Sequence, residues 1–150
     1  MKISIITATN NSAATVSDTL ESVLRQNYKN YELIIKDGGS KDDTLEICRS
    51  YESAFDGRMK IISCPDKGLY DAMNQGIKAA TGDVVGILNS DDFYTSFDVL
   101  MAIARQFERT PEIDAPIATS VATFSFGDHS AYISSYFAIF SLTSVLGVPG

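Results

Sequence analysis

Short apolar runs alternate with amphipathic stretches four times between residues 2 and 107. The strand-length apolar runs are residues 2–7, 31–36, 59–63 and 84–88, and the stretches with helical spacing are residues 12–26, 42–52, 70–80 and 97–107. Strands joined by right-handed helical crossovers lie parallel, and the crossing helices cover the sheet. The order therefore predicts an α/β fold, a mostly parallel sheet with helices on both faces.

The charge balance restricts the class of partner. The 150 residues contain 12 basic and 19 acidic side chains, a formal net charge of −7. A negative surface lacks the basic footprint of a DNA or RNA binder, so we expect no nucleic acid polymer as a partner. A small phosphate-bearing ligand remains compatible, because loop amides, helix N-termini and a metal ion hold phosphate without a basic surface.

Cysteine content and the first residues predict a cytoplasmic location. Cys48 and Cys64 have no CxxC spacing and no histidine cluster near them, which argues against a disulfide scaffold or a zinc knuckle. The apolar run at residues 3–6 is too short for a secretion signal. Both observations fit a protein of a reducing compartment.

The ends of the four predicted strands should meet at one edge of the sheet, where α/β proteins bind ligands. Asp91 and Asp92 directly follow the apolar run 84–88. Two adjacent carboxylates in a cleft repel each other unless a cation lies between them, and oxygen ligands suit Mg²⁺ or Mn²⁺. The alternative is a solvated turn that caps the next helix.

Polar residues also follow the other strands. The tetrapeptide DGGS at residues 37–40 offers an acid to a base or ribose and glycines that let the backbone approach a ligand, although it also suits an ordinary turn. Ser40 and Asp43 have the spacing of a capping box. Lys67, at the start of the third helix, suits a diphosphate, while Asp71 and Asn74 share one face of that helix. An ordinary capped helix with surface charges is the alternative there.

These segments together resemble a known family. DGGSKDDT at 37–44, DKGLYDAMNQG at 66–76 and NSDD at 89–92 follow one another as in the donor-binding half of the family 2 inverting glycosyltransferases, which have the GT-A fold. The resemblance covers residues 1–107 and implies a Rossmann-like, nucleotide-sugar-binding half. It implies transfer of a sugar from a nucleotide-diphosphate sugar donor to a glycan or lipid-linked acceptor, with inversion and with a divalent metal, Mg²⁺ or Mn²⁺.

The resemblance also implies roles for ten residues. Those implied to bind the donor are Thr7, Thr9, Asn10, Asp37, Lys67, Gly68, Asp71, Asn74 and Asp91. The first three line the nucleotide, Asp37 meets the base, the next four border the nucleotide and donor sugar, and Asp91 holds ribose or metal-bound waters. Asp92 is the implied metal ligand.

The catalytic base of an inverting transferase is not assigned. Such a base is a carboxylate that takes the acceptor proton, and in the family it lies downstream in the acceptor half. The acids beyond Glu108 are Glu112, Asp114 and Asp128, and none of them lies in a matching motif. A non-catalytic or truncated nucleotide-sugar-binding module is therefore the alternative. A P-loop NTPase is disfavoured because GxxxxGK[ST] is absent.

Composition changes near residue 116. From there to residue 150 the chain has no Lys or Arg, one acid and one histidine, among many Ser, Ala, Phe and Tyr. We therefore expect a nucleotide-sugar-binding domain at 1–115 and an apolar extension at 116–150, interpreted as a truncated acceptor region. The repeated Ser and Thr argue against a membrane span, but the stretch 132–146 suits peripheral association with the inner face of a membrane.

Overall fold

The structure, a computed structural model, describes residues 1–109 and the backbone strands 124–126, 129–131 and 138–141. Within residues 1–109 strands and helices alternate throughout. They are β1 (Ile3–Thr9), α1 (Val16–Leu24), β2 (Tyr31–Asp37), α2 (Thr44–Tyr51), β3 (Met59–Ser63), α3 (Leu69–Ala79), β4 (Val84–Ile87) and α4 (Val99–Arg109). The later strands are β5 (Phe124–Phe126), β6 (His129–Ala131) and β7 (Ala138–Ser141).

The main sheet has the order β3-β2-β1-β4-β7, with the first four strands parallel and β7 antiparallel to β4. In its register Thr9 pairs with Asp37, and Asp37 pairs with Ser63. The last residues of β1, β2 and β3 therefore form one row across the carboxyl edge of the sheet.

Helices pack on both faces of the sheet. Because side chains alternate along a strand, Ile5 and Leu33 face α1, α2 and α4, whereas Ile6 and Ile34 face α3. All four of these side chains are fully buried. The predicted fold class, an α/β fold with a mostly parallel sheet and helices on both faces, is confirmed.

Some element ends differ from the predictions. β1 continues to Thr9, beyond the predicted end at residue 7, because its ladder with β2 extends to the Thr9–Asp37 pair. The predicted capping box of Ser40 and Asp43 is wrong: the Ser40 hydroxyl donates to Asp37, and Asp43 makes no side-chain cap at α2. Asp42 instead accepts the Thr44 amide at 3.1 Å.

The predicted extension at 116–150 and the stretch 132–146 lie mostly outside the described residues. So do Glu112, Asp114 and Asp128. The described backbone shows that β7 extends the main sheet beside β4, with Ala138 paired to Ile87. In the part of the chain that the structure describes, no helix has the length and apolar character needed to cross a bilayer.

Both cysteines are free thiols. Cys48 is fully buried in the core on the α1 side of the sheet, and burial raises its pKa to about 11. Cys64 is half-buried, and its thiol donates to the Gln75 Oε1 at 3.2 Å. The Cys48 thiol is therefore protonated and unreactive at neutral pH.

A polar network closes the amino edge of the sheet, opposite the row of Thr9, Asp37 and Ser63. The Glu32 carboxylate accepts hydrogen bonds from the Ser4 hydroxyl at 2.5 Å, the Thr81 amide at 2.6 Å and the Lys2 ammonium at 3.0 Å. Burial alone would raise the pKa of Glu32, but the hydrogen bonds from Ser4, Thr81 and Lys2 outweigh it and lower the pKa to about 2. The network thus stabilises the ionised form of Glu32.

This pKa predicts a loss of stability in acid. The folded-state pKa of Glu32 lies below its ordinary value of 4.5, so its contribution is complete above pH 4.5 and disappears as pH falls towards 2. We expect this contribution to the free energy of unfolding to be about 2 kcal/mol after allowance for solvent screening. Urea unfolding of the parent protein and Glu32→Gln between pH 2 and 6 measures it. The parent should lose more stability than the variant; parallel curves would contradict the prediction.

Candidate functional site

The strand order locates a crevice at the carboxyl edge. From β1 the chain adds β2 and β3 on one side and then returns to add β4 on the other. The loops after β1 and β4 lead to α1 and α4 on one face of the sheet, whereas the loop after β3 leads to α3 on the other face. The edge between these two layers of helices is where α/β proteins bind ligands. The loop after β1 carries Asn10 and Asn11, and the segment after β4 carries Asp91 and Asp92.

Three hydrogen bonds join the loop after β1 and the start of α1 to the segment after β4. The Ser12 and Ser90 hydroxyls lie 2.8 Å apart, and the Thr15 hydroxyl donates to the Ser90 carbonyl at 2.8 Å. The buried Thr19 hydroxyl donates to the Asp92 carbonyl at 2.7 Å. These bonds fix the backbone of the acidic segment against the start of α1.

The two adjacent acids have different environments. Asp91 is exposed, whereas Asp92 is 4% exposed. The Asp92 Oδ2 accepts a hydrogen bond from the side-chain amide of Asn89 at 3.1 Å. Among the described residues no three His, Cys, Asp or Glu side chains cluster as a metal cage. A carboxylate pair of this kind fits Mg²⁺ or Mn²⁺, because such ions take one or two protein carboxylates and fill their shell with water and phosphate oxygens.

Asp37 is buried at the end of β2 and is held by its own chain. Its Oδ2 accepts the Gly39 amide at 2.9 Å and the Ser40 amide at 3.0 Å, and its Oδ1 accepts the Thr9 hydroxyl at 3.2 Å. The Ser63 hydroxyl also donates to Oδ2, at 3.2 Å. Burial alone would raise the pKa of Asp37. The hydrogen bonds from Ser40, Gly39 and Thr9 outweigh this effect, so the pKa lies below its ordinary value. Asp37 therefore stays ionised and organises the turn that follows it.

The start of α3 presents the third polar segment. The Lys67 amide donates to the Asp71 Oδ2 at 3.0 Å, and the Gln75 side-chain amide donates to the same oxygen at 3.0 Å. The hydrogen bond from the Lys67 amide, assisted by that from Gln75, lowers the pKa of Asp71 against a small opposing effect of burial. Lys67, Gly68 and Asn74 are exposed beside it.

Further hydrogen bonds connect the loop after β1 to the loop after β2. The Asn11 amide donates to the Ser40 hydroxyl at 2.8 Å, and the Lys41 amide donates to the Asn11 side chain at 2.9 Å. The Ser12 amide donates to the Thr44 hydroxyl at 2.8 Å. Four segments far apart in sequence therefore converge at one edge of the sheet.

The ten residues singled out by sequence occupy different depths at this edge. Those with exposed side chains or backbone are Asn10, Lys67, Gly68, Asn74 and Asp91. Asp71 is half-buried, and Thr9, Asp37 and Asp92 are buried at strand or loop ends. Thr7 lies deeper, fully buried within β1, and its hydroxyl has no hydrogen-bond partner among the described residues.

Sequence reasoning missed the hydroxyls that hold the loops together. Ser12, Ser63 and Ser90 bond across segments separated by at least 26 positions. Their signal was a serine at the end of a strand or three residues after it, which looks like ordinary turn chemistry until the strand ends are known to meet. Lys36, at the end of β2, was also missed.

The chain resembles known glycosyltransferases in sequence. Residues 4–144 match the profile of glycosyl transferase family 2. The PGL/p-HBAD biosynthesis glycosyltransferase of Mycobacterium bovis (strain BCG / Pasteur 1173P2) is 40% identical over 101 residues, which are 67% of this chain and 40% of the relative. The chain thus spans less than half the length of that curated relative.

Solved structures share the fold. TarS 1-349 of S. aureus, in complex with UDP-GlcNAc, has a TM-score of 0.73 at 20% identity over 95% of this chain and 46% of that one. The mannosyltransferase PcManGT of Pyrobaculum calidifontis, in complex with GDP-Man and Mn²⁺, has a TM-score of 0.70 at 19% identity over 97% and 46%. Both likenesses support the predicted GT-A fold. With the family profile covering most of its length, the chain belongs to glycosyl transferase family 2.

Proposed function

We propose that this chain is the donor-binding part of a metal-dependent glycosyltransferase. It would move a sugar from a nucleotide-diphosphate sugar to a glycan or lipid-linked acceptor, with inversion. The observation that carries the proposal is the convergence of polar segments at one edge of the sheet. The loop after β1 bonds to the loop after β2 and to the segment of Asp91 and Asp92, and the end of β3, which leads to α3, bonds to Asp37. The bound donors of TarS and PcManGT, UDP-GlcNAc and GDP-Man, support a nucleotide-sugar ligand of this type.

The nucleotide would bind over the loop after β1. Asn10 is exposed there, and Thr9 supports the loop from below through its bond to Asp37. Thr7 is buried deeper in β1, so its contribution would be to the shape of the floor. Asp37 would meet the base: a base N–H would replace one of the hydrogen bonds that its buried carboxylate accepts from the chain.

The diphosphate and sugar would bind between the start of α3 and the acidic segment. Lys67 brings a cation and Gly68 an exposed backbone next to the first turn of α3, where helix amides favour phosphate. Asp71 is anchored by the Lys67 amide, so it and Asn74 can orient sugar hydroxyls from one helix face.

Asp92 would hold the divalent ion, and Asp91 would hold ribose or metal-bound water. A bound Mg²⁺ or Mn²⁺ supplies Lewis-acid neutralisation of charge on the departing nucleoside diphosphate. The Mn²⁺ in the PcManGT complex supports this assignment. The chain's own part is to keep the Asp92 segment in place through the Thr19 and Ser90 bonds.

A second candidate function is donor binding without transfer. It is favoured by the fact that the described acids just after the ends of β2, β3 and β4 lie in the donor motifs, so these segments offer no further acid for the base that inversion needs. For the transferase, we propose a cytoplasmic location, at the inner face of a membrane if the acceptor is lipid-linked.

Calorimetry of donor binding tests the proposal. UDP, GDP, UDP-GlcNAc and GDP-mannose are titrated into the chain with and without Mn²⁺. We expect at least one nucleotide sugar to bind, with a Kd about 100-fold lower when Mn²⁺ is present. Absence of binding by all four ligands, or equal affinity without the ion, would contradict it. Donor hydrolysis or transfer then separates an enzyme from a binding module.

A further inference from the structure

Lys36 is a fully buried lysine at the carboxyl edge of the sheet. Its ammonium donates to the Asp37 carbonyl at 2.9 Å, the Cys64 carbonyl at 2.7 Å and the Asp66 Oδ2 at 3.1 Å. All three N–H groups of the ammonium therefore have acceptors. The lysine joins the end of β2 to the segment that leads from β3 into α3.

The energetics of this site argue for a role beyond stability. Removing a lysine from water is costly, and buried ion pairs are often replaced by apolar residues at no loss of stability. Here the buried cation holds two main-chain carbonyls and one carboxylate in a fixed arrangement. An apolar side chain at residue 36 could not hold the Asp66 carboxylate in this position.

Asp66 connects the Lys36 ammonium to the start of α3. Its Oδ1 accepts the Gly68 amide at 3.0 Å, and Gly68 adopts a φ of 117°, in the region that favours glycine. On the other side, a Cβ built on Gly38 would lie 2.6 Å from the Asp66 Oδ2. The Asp66 carboxylate is thus held between the turn after Asp37 and the turn that begins α3.

We propose that Lys36 is a positioning residue for the donor site, acting through Asp66 to fix residues 66–68 for contact with the diphosphate and sugar. The proposal rests on the proposed function for the identity of the ligand. The ordering of the 66–68 segment, in contrast, is a property of the chain without any ligand.

The test compares three changes at this site with one at the other edge. Lys36→Met removes the ammonium, and Lys36→Met with Asp66→Asn also removes the buried carboxylate that would be left unpaired. Gly38→Ala keeps the ammonium but displaces Asp66. Lys2→Met is the matched control, because it breaks the Lys2–Glu32 ion pair at the amino edge.

Hydrogen exchange of the ligand-free chain is the first measurement. We expect the amides of residues 66–71 to exchange about 10-fold faster in the three site variants, relative to the amides of β1, and to stay unchanged in Lys2→Met. The double variant keeps this measurement available should the single Lys36→Met change unfold the chain. Unchanged exchange in the site variants would overturn the proposal, whatever the chain binds.

Ligand affinity is the second measurement, made with UDP, GDP, UDP-GlcNAc and GDP-mannose, and with UMP and GMP as references, in Mn²⁺. For the nucleotide sugar that the parent binds, we expect the Kd to rise about 10-fold in the site variants. The Kd of the matching nucleoside monophosphate, which lacks the second phosphate and the sugar, should rise much less. A purely structural role lowers the folded fraction and weakens both ligands equally, so an unchanged ratio of the two Kd values would overturn the positioning role. Failure of the parent to bind any of the four would overturn the proposed function and the donor role of Lys36, while faster exchange would still support its hold on residues 66–68.

Discussion

An Asp92→Asn variant is expected to lose about 100-fold in Mn²⁺-dependent affinity for a nucleotide sugar, because the amide cannot supply the charge that the ion requires. Asparagine keeps the shape of the side chain and an oxygen that accepts the Asn89 amide, so the local fold should persist. Calorimetry with and without Mn²⁺ measures the affinity, and thermal unfolding checks the fold.

Glu52→Gln is the matched control for Asp92→Asn. It removes one negative charge from an exposed position at the carboxyl end of α2, whereas the start of that helix lies at the edge with the acidic segment. Its affinity should equal that of the parent, which excludes a general effect of net charge. Equal affinities of Asp92→Asn and the parent in Mn²⁺ would remove Asp92 from the metal site.

A Gly82→Ala variant is expected to lose about 3 kcal/mol of unfolding free energy, the upper range for overpacking. A Cβ at residue 82 would lie 2.6 Å from the Ser4 hydroxyl and 2.8 Å from both the Lys2 carbonyl and the Ser4 amide nitrogen. Two of these atoms belong to the main chain, which β1 and its neighbours hold in place. Urea unfolding measures the loss.

Ser4→Ala in the same background provides the control for Gly82→Ala. It removes the hydroxyl but leaves the Lys2 and Ser4 main-chain atoms, and it also removes the bonds of that hydroxyl to Glu32 and Gly82, so it should recover little or none of the stability. Full recovery, or a loss below about 1 kcal/mol in Gly82→Ala alone, would contradict the backbone clash. Gly82 lies at the amino edge, so the folded variant should bind donor like the parent.

The order of strands and helices could be predicted because its signals are local. A run such as 31–36 shows its strand character within a few residues, and the apolar face of the first helix, with Leu20 and Val23, repeats at helical spacing. The observed β2 and α1 therefore lie close to their predicted places. Because parallel strands end at the same edge of a sheet, the sequence also predicted that the loops after these strands lie close together.

The details of the site could not be predicted, since they depend on contacts between distant segments. A lysine at the end of a strand suggests a solvated side chain, and only the folded chain shows that Lys36 meets Cys64 and Asp66, 28 and 30 positions away. The Ser40 hydroxyl was expected to cap α2, but it donates its proton to the ionised Asp37 and its oxygen accepts the Asn11 amide. β7 was not predicted, because residues beyond 116 lack periodicity.

The separation of the two polar networks has a practical consequence. Glu32, Lys2 and Thr81 tie together one end of the sheet, while the loops with Asp37 and Asp92 lie at the other, and the described bonds of the two ends share no residue. Loop grafting and directed evolution of ligand preference can therefore be confined to the loops at the carboxyl edge. The network at the amino edge then needs no redesign when these loops are exchanged.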